Sequence, residues 1–137
     1  MGLNAKNKKD LLEAITNNWY WVLSTSKMID ANYLENNFSE EELAEAGIYT
    51  RKEHVSNAKS FACGSATVKA YDSATVKAYD SATVEAYDSA TVEAYDNSYV
   101  EDCTGNINTV SDHGIVKSYR DHKIYIKKGK FEIIEIE

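Results

Sequence analysis

The chain contains no proline. Proline takes a donor out of a sheet ladder, so its absence leaves every residue free to join a continuous hydrogen-bonded array. Cysteine is almost as scarce: Cys63 and Cys103 are the two present, too few for a disulfide framework, and a reduced cytoplasmic setting is expected. No apolar run approaches the roughly 18 residues a membrane span needs. The start, Met-Gly-Leu-Asn-Ala-Lys, lacks a signal-peptide apolar core, and Lys6 stands where a myristoylation pattern wants Ser or Thr. Glycine is limited to six residues, with no phosphate-cradling loop among them. The three histidines, His54, His113 and His122, are scattered without metal-ligand spacing. Asp112-His113 and Asp121-His122 are adjacent acid–imidazole pairs, but no nucleophile motif accompanies them. The expectation is a protein without catalytic residues, metal or cofactor.

What the chain does have is a tandem repeat. SATVKAYD occurs twice and SATVEAYD twice, in register, over residues 65–96. Eight residues cannot enclose a core, so the unit must stack, and stacked short units make solenoids. Strand alternation sorts each octad onto two faces. Ala66, Val68 and Ala70 point inward; Thr67, Lys69 and Tyr71 point outward. Asp-Ser pairs such as Asp72-Ser73 and Asp80-Ser81 make the turns. A degenerate octad precedes the perfect copies over residues 57–64. Others follow: Asn97-Ser98-Tyr99-Val100-Glu101 keeps the valine, residues 113–120 realign, and residues 121–128 read as a last copy. Residues 105–112 match poorly and suggest a bulge or looser turn.

The charge order limits the coil. One octad per coil would set Lys beside Lys and leave no room for a core. Two per coil set Lys69 beside Glu85 and Lys77 beside Glu93; three set Lys69 beside Glu93 and Lys77 beside Glu101. Two is the reading adopted, with a triangular three-octad coil as the alternative. Cys63 and Cys103 are five octads apart, a whole number of coils in neither case, so no disulfide is expected between them.

The flanks differ. Leu11, Leu12, Ile15, Trp19, Val22 and Leu23 recur at helical spacing over residues 8–23. A second short helix is expected from Asp30, burying Tyr33, Leu34 and Phe38. Ser39-Glu40-Glu41-Glu42 reads as a capping box, with Gly47 as the left-handed stop. Trp19 is expected in the core, partly covered by Tyr20 and Trp21. After the repeats, Lys123-Ile124-Tyr125-Ile126, a Lys127-Lys128-Gly129-Lys130 turn and residues 131–136 read as a hairpin. The fold class is therefore α+β. A helical domain over residues 1–56 caps a β-solenoid over residues 57–128, and a hairpin over residues 122–137 serves as cap or homodimer strand.

Net charge is −7 and uneven: about −3 over residues 1–56, about −5 over 57–104 and about +1 over 105–137. An acidic middle disfavours direct nucleic-acid binding and suits a basic protein partner. A thermal-hysteresis role for the threonine row is disfavoured, because Lys, Glu and Tyr stand beside it. Calcium rolls need glycine-rich repeats, which this is not.

The octads, with flanking Ala-Cys-Gly and Asn-Ser-Tyr-Val, resemble octapeptide-repeat β-solenoid proteins of phages and gut bacteria, over residues 57–128. The resemblance implies the architecture and brings no catalytic residues. Together with the acidic middle it leads to the expectation of a non-enzymatic inhibitor in a bacterial cytoplasm. Such a protein would lay its solenoid on a basic nucleic-acid-binding protein, as anti-CRISPR or antirestriction inhibitors do. The expected contact face is Glu85, Tyr87, Asp88, Glu93, Tyr95 and Asp96. The alternative is a structural module that self-associates, with the solenoid as spacer.

Overall fold

The computed structural model describes residues 5–26, 29–106 and 108–137; the first four residues of the start considered above, and Ile107 within the poorly matching octad, lie outside them. The helical part begins with α1 (Ala5–Asn17), which buries Leu12 and Ile15. The helix expected over residues 8–23 is not continuous. The Asn18 amide Nδ2 bonds the Ala14 carbonyl at 2.9 Å, and Asn18 leaves helical geometry (φ −126, ψ 32). A short α2 (Trp19–Trp21) then widens into a π-helical turn, Val22–Ser26, where the Ser24 hydroxyl donates to the Tyr20 carbonyl at 2.6 Å. Side-chain competition for backbone acceptors explains the break. α3 (Ala31–Asn37) starts at Asp30, whose carboxylate accepts the Tyr33 N–H at 2.8 Å. α4 (Glu40–Glu45) carries the full capping box: Glu42 N–H to Ser39 Oγ at 3.1 Å, and Ser39 N–H to Glu42 Oε1 at 2.9 Å. Gly47 ends it at φ +77, and a Cβ there would stand 2.9 Å from the Lys59 carbonyl oxygen.

The remaining chain is a β-solenoid. Its strands are β1 (Ile48–Tyr49), β2 (Glu53–Ser56), β3 (Lys59–Ala62), β4 (Thr67–Ala70), β5 (Thr75–Ala78), β6 (Thr83–Ala86), β7 (Thr91–Ala94), β8 (Tyr99–Asp102), β9 (Thr109–Val110), β10 (Ile115–Ser118) and β11 (Lys123–Ile126). From β1 to β10 consecutive strands alternate between two sheets, ordered β1-β3-β5-β7-β9 and β11-β10-β8-β6-β4-β2. Two octads therefore complete one coil, and the triangular alternative is excluded. Lys69 pairs with Glu85 and Lys77 with Glu93, as the charge order required. All pairings are parallel except β10–β11.

The interior follows the octad alternation. Val68, Val84 and Val100 stack within one sheet and Val76 and Val92 within the other, each at most 1% exposed, with alanines on either side except at Val100, which lies between the buried Ser98 and Asp102. At about 0.8 kcal/mol per buried CH₂, these thin rows rather than bulky residues hold the sheets together. Every turn aspartate of the perfect octads is left-handed: Asp72, Asp80, Asp88 and Asp96 have φ between 53 and 57. Aspartate tolerates that region better than most L-residues. Two of these carboxylates, and that of Asp112, bond the coil before: Asp88 Oδ2 accepts from Asp72 N–H at 3.0 Å, Asp80 from Gly64 N–H at 2.8 Å, and Asp112 from Asp96 N–H at 3.1 Å.

Three boundaries differ from expectation. β1 and β2 lie within residues 1–56 yet pair in the sheets, so the solenoid starts at Ile48. These strands escaped notice because their offsets to the next coil are 13 (Ile48↔Phe61) and 14 (Glu53↔Thr67), against 16 (Lys59↔Thr75) in the repeats. Their inward residues are also large: Tyr49 stacks on His54 (centroids 4.2 Å, 19°) and closes the core's first end. Residues 121–128 do not form a further coil. As an octad they would set His122 and Ile126 where alanine belongs, overfilling a narrow interior. The chain instead reverses through His122 (φ 55), and β11 returns antiparallel on β10. The closing hairpin is thus β10–β11, one strand earlier than expected, and residues 131–137 carry no strand. Over residues 105–112 the offset of 16 survives, with β9 cut to two residues.

Candidate functional site

The two sheets have different surroundings. Phe61 and Cys63 sit at outward positions of β3 and the turn after it, yet both are buried under the helices with Trp19, Leu34 and Leu43. Trp19 lies tilted on Phe61 at 5.2 Å. Tyr20 reaches further along, meeting Tyr95 at 4.6 Å and Tyr79 at 6.2 Å, and its hydroxyl donates to Asp112 at 3.4 Å. The helices thus cover the flank of the five-stranded sheet as well as its first strand. Tyr79 is held largely neutral, its phenol pushed up to about 12 by burial and by the nearby Asp96 charge. Burial also raises the Cys63 thiol, which is inert there. Cys103 lies exposed, and both thiols are free.

The six-stranded sheet leaves its outer face open, and its side chains form rows that follow the coil. One row runs Val55, Lys69, Glu85, Glu101, Lys117, Ile124, each paired in register with the next. Beside it, at the strand ends, run Tyr71, Tyr87, Cys103 and Tyr119. Tyr71 and Tyr87 stack at 4.9 Å and 14°. The Tyr87 hydroxyl donates to Glu85 at 2.9 Å, and that of Tyr119 to Glu101. Each bond raises its phenol, Tyr119 to about 12. Glu85 and Glu101 stand side by side, a like-charge pair that costs stability on a sheet. The neighbouring lysines are turned elsewhere: Lys69 bonds Glu53 at 2.7 Å, which raises its ammonium, and Lys117 lies 4.7 Å over the Tyr119 ring. Among the described residues, no salt bridge reaches Glu85 or Glu101.

The six residues expected as one contact face are divided. Glu85, Tyr87 and Asp88 belong to β6 and its turn, on the open sheet. Glu93, Tyr95 and Asp96 belong to β7 and its turn, on the other. The reason is the two-octad coil: a shift of eight residues changes sheet, and a shift of sixteen keeps it. Glu93 is taken up by Tyr95 (2.7 Å) and Lys77 (3.7 Å), and Tyr95 lies under Tyr20. The Asp96 carboxyl is raised by burial and then by Asp80 and Asp112. Asp88, though exposed, spends one oxygen on the turn of the coil before it. Glu101, Lys117 and Tyr119 were missed; stepping sixteen residues on from Glu85 into the degenerate octads would have found them.

Among the described residues, no group of three His, Cys, Asp or Glu is placed to hold a metal ion, and no helix is long and apolar enough to cross a membrane. The solenoid interior is filled chiefly by Ala and Val, with Ser60, Ser98, Asp102 and Ser118 buried among them. An open groove of ≈ 500 Å³ lies between α1 and α4, lined by Lys8, Leu12, Thr16 and Glu42, with Lys8 bridging to Glu42 at 3.3 Å.

These features define a β-solenoid with one sheet flanked by helices and the other, among the described residues, bare. No family model, curated protein or solved structure matches the chain.

Proposed function

We propose that this chain is a non-enzymatic protein-binding module whose contact surface is the bare face of the six-stranded sheet. Its partner is a basic surface on a nucleic-acid-handling protein. The observation that carries this reading is the Glu85–Glu101 pair: adjacent carboxylates that no salt bridge reaches among the described residues, although Lys69 and Lys117 flank them in register, set beside the Tyr71–Tyr87 stack on the uncovered face. Carboxylates held by phenol donors and flanked by flat rings suit an arginine guanidinium, which takes bidentate bonds and stacks. The side chains are ordered before contact, so little rotamer entropy is lost on binding. Blocking such a surface is how antirestriction and anti-CRISPR inhibitors act, and the same inhibitory role, in a bacterial host, is proposed here.

The test is capture from a bacterial lysate with the tethered chain, followed by affinity measurement on the purified partner. Recovery of a basic nucleic-acid enzyme is expected, displaced by duplex DNA. Glu85→Lys with Glu101→Lys should weaken it at least about tenfold, about 1.4 kcal/mol, while Glu93→Lys on the other sheet should not. Recovery of chaperones alone, or equal loss in both variants, would sink the reading.

A further inference from the structure

The C-terminal end of the solenoid differs from the N-terminal end in having no helix laid over it among the described residues. β11 is the outermost strand of the six-stranded sheet, and its far edge pairs with no strand among the described residues. Unpaired edges of this kind are templates for another strand. Ile124 and Tyr125 on it are 56% and 41% exposed. The segment beyond it, Phe131-Glu132-Ile133-Ile134-Glu135-Ile136-Glu137, has the composition of a strand but carries none, and Ile133, Ile134 and Ile136 are 69%, 74% and 90% exposed.

The segment does not fold back on its own β11. The turn after β11 closes through Lys130 N–H to the Lys127 carbonyl at 3.3 Å, with Gly129 at φ 84. Phe131 then packs edge-on against His113 at 5.4 Å, which draws the tail toward the β9–β10 turn. Charge singles out the occupant of the vacant edge. β11 and its turn carry Lys123, Lys127, Lys128 and Lys130; the tail carries Glu132, Glu135 and Glu137. The tail of another copy matches that edge in charge and in apolar content and is long enough to span it, since its seven residues extend about 23 Å against about 13 Å for β11.

We infer that the chain forms a closed two-fold dimer through its C-terminal end, residues 131–137 of each copy adding as an edge strand to β11 of the other. Each copy gives one basic β11 edge and receives one acidic tail, so both β11 edges are used once and the exchange closes at two copies; the outer edge of β9, two residues long, is too short to seat the tail. The bare face bearing Glu85 and Glu101 remains free in both copies, and the inference is independent of the binding role proposed above.

Sedimentation of the full chain tests it. The expected species has twice the 15.4 kDa chain mass. Ile134→Lys with Ile136→Lys, in a segment without a fold role, should weaken the dimer at least about tenfold and leave the circular dichroism unchanged. Two charge variants give the sharper arm. Lys123→Glu with Lys127→Glu and Lys128→Glu makes edge and tail both acidic; Glu132→Lys with Glu135→Lys makes both basic. Each alone should be monomeric, and an equimolar mixture should form a mixed dimer. A monomeric parent chain, a dimer indifferent to Ile134→Lys with Ile136→Lys, an open-ended oligomer, or charge variants that do not associate on mixing would each overturn the inference.

Discussion

Asp88 separates two roles that an acidic ladder can have, turn-maker and contact. Its φ of 57 is left-handed, a region that costs an ordinary L-residue roughly 1–2 kcal/mol. Its Oδ2 also accepts the Asp72 N–H at 3.0 Å, a charge-assisted bond worth about 1.5–3 kcal/mol when shielded and less in this exposed turn. Asp88→Ala loses the acceptor and strains the turn, so a destabilisation of about 2 kcal/mol is expected. Asp88→Asn keeps an acceptor oxygen and the tolerance for this conformation, and should fall within about 0.5 kcal/mol of the parent chain. Asp88→Gly relieves the backbone but loses the bond, and should lie between them at about 1 kcal/mol. Urea unfolding followed by far-ultraviolet circular dichroism measures all three, with unchanged m-values as the condition for comparing midpoints. If Ala and Asn proved equally benign, the turn ladder would not be a structural device. If Asn abolished partner binding while leaving stability intact, Asp88 would be a contact and the acidic surface wider than the Glu85–Glu101 pair.

Two further outcomes follow from the same geometry. Val84→Ala should cost about 2–3 kcal/mol, from two lost methyls at about 0.8 kcal/mol each plus an unfilled gap between Val68 and Val100; Thr83→Ala, one residue away and facing out, should cost under about 0.5 kcal/mol. Equal losses would refute the inward row. The tyrosines make stability fall in alkali. Tyr79 and Tyr119 are raised from 10.0 to about 12, so their protonated forms favour the fold, with the contribution whole below about pH 10 and lost as pH climbs through about 12. Unfolding free energy should decline across that window while phenolate absorbance appears late; a flat profile would contradict it.

The repeat was legible because its inner positions hold small residues at strict alternation, and only a narrow sheet-on-sheet stack uses Ala-Val-Ala in that way. The capping box of α4 was legible for a similar reason: Ser39 and Glu42 are three residues apart, and the motif needs nothing distant. Where the sequence misled, distant packing decided. β1 and β2 broke the sixteen-residue offset and were absorbed into the helical part. Residues 121–128 kept an octad's outline, but their large inward side chains could not enter the stack, and the strand reversed onto β10.

The sequence by itself determined the stacking unit, its inner and outer rows, and the aspartate turns, because these depend on neighbours within one octad. It narrowed the coil to two or three octads through the Lys-Lys-Glu-Glu order. Only the tertiary structure decided between them, and with that which outward residues share a face. It also decided which face is open, since the helices are joined to the first coil and bury Phe61 and Cys63 on one sheet alone. Glu85 and Glu93 occupy the same place in identical octads, yet one stands on the bare sheet beside Glu101 and the other is taken up by Lys77. That difference arises from half a turn of the coil and from where the helices that precede Ile48 come to rest.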